Sequence, residues 1–332
     1  MQVLFRQEVF RAGSRVFRWE DVVLAAELWG DWNRIKERAL QNLAFLAFED
    51  AGTGATVPED EIDKAADDFR YERDLITAEE LERWLSRWHL DAEIWLDWIS
   101  ASLLRDRLPD VAHSAKPEAD VRQVESAVLA EAVCSGELER LARQLAARAA
   151  IVEREKERNH APDEDRSSAG ALAERRETVA RLERSYQRFR EEVLTPDALA
   201  ARVRARLTDW TRINCSVLRL QGEDAAREAA MAVRQEGVDL GTLAQEIGEA
   251  TEDGVEFLEE AEPEVRDFLL SARPGELVGP VSVGDKFVLV SVRAKIPPEP
   301  DDPEVLERAE SSLLEGLVAR EVDNRITWIW KP

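Results

Sequence analysis

Histidine and cysteine, the side chains most specific to metal and redox chemistry, are scarce in this chain of 332 residues. Its three histidines, His89, His113 and His160, are scattered through helical or loop contexts, and its two cysteines, Cys134 and Cys215, stand far apart without metal-ligand spacing. No metal site and no cofactor are expected, and the sparse cysteine usage suits a reducing compartment. Tryptophan is the unusual resource. Trp29 and Trp32, Trp84 and Trp88, and Trp95 and Trp98 recur at spacings of three or four, so the members of each pair share a helix face. Such rings either form a core between short helices or line an aromatic peptide-binding groove in which Trp84 and Trp88 are the contacts.

The elements that carry these residues can be read in order. The chain to about Leu108 reads as helical, with Thr77-Ala78-Glu79-Glu80 as a capping box ahead of Leu81, Trp84, Leu85 and Trp88. Asp91 can cap the next helix, which carries Ile94, Trp95, Trp98 and Leu103. A highly charged helical section follows. Leu138, Leu141, Leu145 and Val152 mark one apolar stripe, and Leu172, Val179, Leu182, Tyr186, Phe189 and Val193 mark a second. A polar, breaker-rich turn over residues 159–170 separates them, so the section reads as a helical hairpin. Its stripes suit either a structural arm packed on neighbouring helices or a coiled coil for homodimerisation or partner docking. Thr195-Pro196 then opens another helix with a good N-cap and an N1 proline.

Charge narrows the function classes. Forty-five basic against sixty-nine acidic residues give a net charge of -24, which repels nucleic acid and anionic membranes and leaves basic or neutral peptides as plausible partners. The first residues carry charges where a secretory signal needs an apolar core, and no apolar span of about 20 residues occurs. A cytoplasmic location without membrane insertion is the expectation. The length suits two or three domains.

The most informative stretch lies near the C-terminal end. Residues 213–220 read as a strand, Gln221-Gly222-Glu223-Asp224 as a turn, and Ala225, Ala226, Ala229, Ala230 and Val233 as the small-residue face of a helix that packs on a sheet. A later helix ends before Pro274-Gly275, a loop reaches Gly279-Pro280-Val281, and after Gly284 a β-branched run reads as a buried strand. This arrangement resembles a parvulin-type peptidyl-prolyl isomerase domain of the PpiC/SurA kind. The resemblance implies a small domain with an antiparallel sheet that binds proline-containing peptide. It also implies where the active site would fall. The histidine of the last family motif is replaced by Lys286, and the first active-site histidine by Ser216 or, one residue earlier, Cys215. The bulky residues that wall the family's proline pocket fall on Ala261 and Val265, and its glycine-rich segment is reduced to residues 252–257, with Gly254 and Phe257 the familiar positions.

Isomerisation breaks no bond. The enzyme lowers a barrier of about 18–20 kcal/mol by holding the ring in an apolar slot and favouring the twisted amide. Without the histidines and with a shallow slot, catalysis is expected to be lost or residual. Lys286 then reads as an exposed strand-end lysine, and Cys215 and Ser216 as half-buried strand positions. Phe257, Ala261, Val265 and Leu269 are the expected peptide contacts of this domain.

Val57-Pro58-Glu59-Asp60-Glu61-Ile62, Phe69 and residues 76–85 resemble the N-terminal helical domain of SurA-like chaperones. The layout also resembles cytoplasmic parvulin-related proteins associated with bacterial peptide maturation and secretion. In SurA-like proteins a C-terminal helix returns to complete the N-terminal domain. Here a stiff linker, Pro297 to Pro303, leads to a last amphipathic helix and to Trp328 and Trp330, which need burial.

The expected fold is therefore α+β. A helical SurA-like region occupies 1–108, a charged helical arm and connecting helix 109–210, a parvulin-like domain 211–296, and a linker with returning helix 297–332. Three functions stay open. One is a chaperone or adaptor holding a ribosomally made precursor peptide for modification or export machinery, another a weak isomerase using Cys215, Ser216 and Lys286, the third an interaction protein acting through its arm.

Overall fold

The computed structural model describes residues 2–50, 56–108, 119–159 and 172–330. His113, His160 and most of the polar turn expected over 159–170 lie outside them. The chain is α+β, mostly helical with two small antiparallel sheets. It parts into two compact units, Met1–Phe189 with Val318–Pro332, and Arg190–Leu317. The four expected segments thus fall into two bodies, and most of the charged arm belongs to the first.

The first unit opens with helix α1 (Gln2–Phe5) and a hairpin of β1 (Glu8–Ala12) and β2 (Arg15–Arg18) where only helix was expected. Phe10 and Phe17 pair across it with rings stacked 4.7 Å apart. Gly13 makes the turn at φ +56, and a Cβ there would sit 2.5 Å from the Glu153 carboxylate. Helices α2 (Trp19–Trp29), α3 (Asp31–Asp50), α4 (Glu59–Glu72), α5 (Ala78–Arg87), α6 (Ala92–Arg107), α7 (Val121–Cys134), α8 (Glu137–Asn159) and α9 (Leu172–Val193) follow.

Local signals position these helices. Thr77 and Glu80 form their reciprocal cap on α5, and the Asp91 side chain accepts from the Ile94 amide at 2.8 Å on α6. Leu138, Leu141, Leu145, Val152, Val179 and Leu182 are buried in the unit's own core, so this chain already covers much of both stripes on which the homodimer expectation rested; Leu172 is exposed. Glu131, 1% exposed, is one of two buried carboxylates of the unit among the described residues, the other being Asp21. Glu131 accepts from Asn42 Nδ2 at 2.9 Å and Trp98 Nε1 at 2.8 Å, with Arg105 at 3.8 Å. Burying it without those partners would cost several kcal/mol, roughly 3–5.

The second unit runs through α10 (Pro196–Ala205), β3 (Arg212–Leu220), α11 (Glu223–Met231), a π-helical turn at Ala232–Glu236, α12 (Leu240–Glu246), β4 (Thr251–Phe257), α13 (Pro263–Ser271), β5 (Leu277–Val283) and β6 (Lys286–Ile296). The sheet order is β4-β3-β6-β5, antiparallel throughout. Strand alternation sends Leu218, Leu220 and Leu289 toward the alanine face of α11 and toward α12, and sends Cys215, Val288, Val290 and Val292 toward Val265 and Leu269 of α13. Gly279, in the bulge between β5 and β6, has φ +96, and a Cβ there would meet the Val288 carbonyl oxygen at 2.3 Å. Only glycine fits that approach.

Helix α14 (Pro303–Arg325) contributes Val305 and Ala309 to a third cluster of this unit, around Trp210 and Phe257. The chain then returns to the first unit as β7 (Ile326–Trp328), pairing with β1. Trp330 reaches Trp88 and Trp19, at 4.7 and 5.5 Å between ring centroids.

Candidate functional site

A cavity of about 290 Å³ opens on the α13 face of the sheet in the second unit. Cys215 and Val217 of β3 and Val288 and Val290 of β6 form its floor, and Ala261, Val265 and Leu269 one wall. Along β4, Glu252, Gly254 and Glu256 stand at alternate positions opposite Val217, Cys215 and Ile213. The missing side chain at Gly254 leaves the cavity open above Cys215, because a Cβ there would meet nothing nearer than the Glu256 carboxylate at 4.0 Å.

The rim is acidic. Arg219 lines the cavity together with Glu252, Glu256, Glu260 and Glu262, one cation against four carboxylates; Asp253 borders it too, but its carboxylate accepts from Ser216 and Arg293 on the other face of the sheet. Arg219 bonds Glu262 at 2.8 Å and lies 3.6 Å from Glu252. Arg308 holds Glu260 and Arg293 holds Asp253, whereas Glu256 has no ion-pair partner among the described residues.

The three candidate reactive residues do not come together. Cys215 is in the floor, 5% exposed, and burial pushes its thiol above the ordinary range, reinforced by Glu256 and opposed by Arg293. Ser216 alternates to the opposite side of β3. There its hydroxyl donates to Asp253 and accepts from Arg293, and the Ser216 bond, then Arg293, hold the Asp253 carboxyl below its usual value. Lys286 begins β6, six residues before Val292, the partner of Cys215; at 3.3 Å per residue that is roughly 20 Å away. It does not line the cavity.

Among the expected peptide contacts, Ala261, Val265 and Leu269 line the cavity but Phe257 does not. Phe257 is 2% exposed and packs with Trp210, Val305 and Ala309, with the Arg308 guanidinium 3.9 Å from its ring centre. Its position at the end of β4 turns it out of the cavity and into that core. Trp84 and Trp88 are also core residues, 9% and 1% exposed, and their rings meet Phe69 and Trp19 rather than a groove. In the first unit it is Trp98, with Leu43, Leu46 and Ile94, that lines a groove of about 620 Å³.

Sequence reasoning missed the acidic members of the cavity. Their signal was present as carboxylates at 252, 256, 260 and 262, but it reads as a charged loop until β4 is paired with β3. Among the described residues no group of three or more histidine, cysteine, aspartate or glutamate side chains is arranged to hold a metal ion, and no helix is long and apolar enough to cross a membrane.

The fold and cavity define an α+β protein with an apolar, acid-rimmed recess on a four-stranded sheet. No family model and no curated protein matches the chain. Among solved structures it is similar to foldase protein PrsA from Streptococcus pneumoniae, with 11% identity over 96% of this chain and 93% of that one and a TM-score of 0.28.

Proposed function

We propose that this chain is a peptide-binding chaperone or adaptor whose second unit, parvulin-like in its sequence pattern, holds extended peptide with isomerase catalysis lost or residual. The carrying observation is the composition of the recess. Its floor is apolar and open, and neither Ser216 nor Lys286 reaches it. Cys215, the sole candidate present, is kept as the neutral thiol by burial. Such a site can bind a side chain but has little with which to favour a twisted amide over a planar one. The sequence resemblance to cytoplasmic parvulin-related proteins supports a ribosomally made precursor as the client, delivered to modification or export machinery.

The test is a protease-coupled isomerisation assay on a standard X-Pro peptide, run beside anisotropy titrations of labelled unstructured peptides. We expect trace isomerase activity with micromolar peptide binding, equivalent to about -8 kcal/mol. Turnover like that of an ordinary parvulin, abolished by Cys215→Ala or Lys286→Ala, would overturn the binding-only reading. Absence of any peptide binding would remove the chaperone reading itself.

A further inference from the structure

The recess borders a strand whose outer edge is free. β4 is the terminal strand of the sheet and bonds β3 on one side, and no hydrogen bond reaches its other edge among the described residues. Free edges are templates for a further strand, and charge on them normally guards against unwanted pairing. Here the charge is patterned. Glu252 and Glu256 stand on the recess face with Gly254 between them, roughly 13 Å apart at 3.3 Å per residue. Both are exposed, and Glu256 lacks an ion-pair partner among the described residues.

A second copy of this chain is a poor occupant, because an antiparallel β4 pair centred on Gly254 would set Glu252 against Glu256 and repel. A chain with cations at those two positions is attracted instead. Between them the glycine lets one bulky apolar side chain of the added strand lean over Gly254 into the cavity above Cys215, whose volume of about 290 Å³ is at the small end of ligand pockets. Resting on the reading of this unit as a peptide binder, we propose that the free edge of β4 takes an extended basic peptide as an added strand. It selects alternate residues in the order cation, bulky apolar, cation. Main-chain bonds supply affinity and the alternate side chains supply selection.

The experiment uses the full chain and labelled synthetic peptides. One peptide carries lysine, leucine and lysine at alternate positions in a serine and threonine background. A second has the same composition with the lysines adjacent, a third has glutamates in place of the lysines, and a fourth carries N-methyl groups on the amides of one edge. The first should bind in the micromolar range and weaken with added salt. The others should bind at least about tenfold more weakly, a difference of the size expected when complementary charges or an edge of backbone bonds are lost.

Glu256→Gln, at an exposed position, should cost the first peptide about three- to fivefold, the range of an exposed ion pair, and should not weaken the glutamate peptide. Gly254→Leu, which fills the space above Cys215, should weaken the first peptide at least as much as Glu256→Gln does. If the rearranged or methylated peptide binds as tightly as the first, or Glu256→Gln changes nothing, the added-strand proposal is overturned while peptide binding stands. If no peptide binds, both fall. Self-association that displaces the peptide would assign the edge to a second copy and overturn the proposal as well.

Discussion

Cys215 faces the recess yet is chemically quiet, and the reason is local. Burial favours the neutral thiol, the Glu256 carboxylate adds to that effect, and Arg293 opposes it. Desolvation and a nearby anion both disfavour thiolate, so the titration moves above the ordinary thiol range. Alkylation by iodoacetamide, mapped by mass spectrometry to the peptide carrying Cys215, should therefore be slow at neutral pH and accelerate only in strongly alkaline solution. Glu256→Gln should shift that acceleration toward lower pH. Rapid modification of folded protein at pH 7 would mean a thiolate is present and would reopen a nucleophilic role. The two-residue alternative for the lost histidine, Cys215 or Ser216, could not be decided from sequence. Strand alternation decides which of them faces the recess, and a register of one residue exchanges the faces.

At the scale of elements, β4 has two roles that its sequence conceals. Its alternate residues 252, 254 and 256 border the recess, and its last residue, Phe257, leaves that face to pack against Trp210, Val305 and Ala309. Phe257→Ala should accordingly destabilise the second unit by about 3–5 kcal/mol, as for a buried aromatic ring, in urea unfolding followed by circular dichroism. A loss below about 1 kcal/mol would place the ring at a surface. Caps and stripes were the legible elements: Thr77 with Glu80, Asp91, Thr195 before Pro196, and the alanine face of α11 all follow from local rules. The hairpin of β1 and β2 and the strand β4 were not. Both are short and interrupted by charge or glycine, and each pairs with a strand distant in sequence, β1 with β7 and β4 with β3. The tryptophan pairs were legible as helix faces, but periodicity gives no direction, and Trp84 and Trp88 face the core.

Across the whole molecule the C-terminal residues close the first unit. β7 adds to β1, and Trp330 inserts beside Trp19 and Trp88, within reach of the Arg87 guanidinium at 5.4 Å. That two tryptophans near the end need cover follows from composition, whereas the surface that covers them depends on a hairpin that pattern reading missed. The consequence can be measured. A chain ending after Arg325 loses the third strand of the first sheet and uncovers Trp19, Trp88 and Phe10, which are at most 1% exposed in the full chain. Each aromatic contact contributes about 0.5–1.5 kcal/mol beyond the area it buries. Loss of Trp330 alone, as Trp330→Ala, should therefore cost about 2–3 kcal/mol. The shortened chain should bind a hydrophobic dye and unfold at lower urea with a broader transition, while α14 and the Phe257 cluster remain intact. If it instead melts with the midpoint and steepness of the full chain, β7 and Trp330 rest on the first unit without stabilising it, and the closure of that unit must come from its own helices.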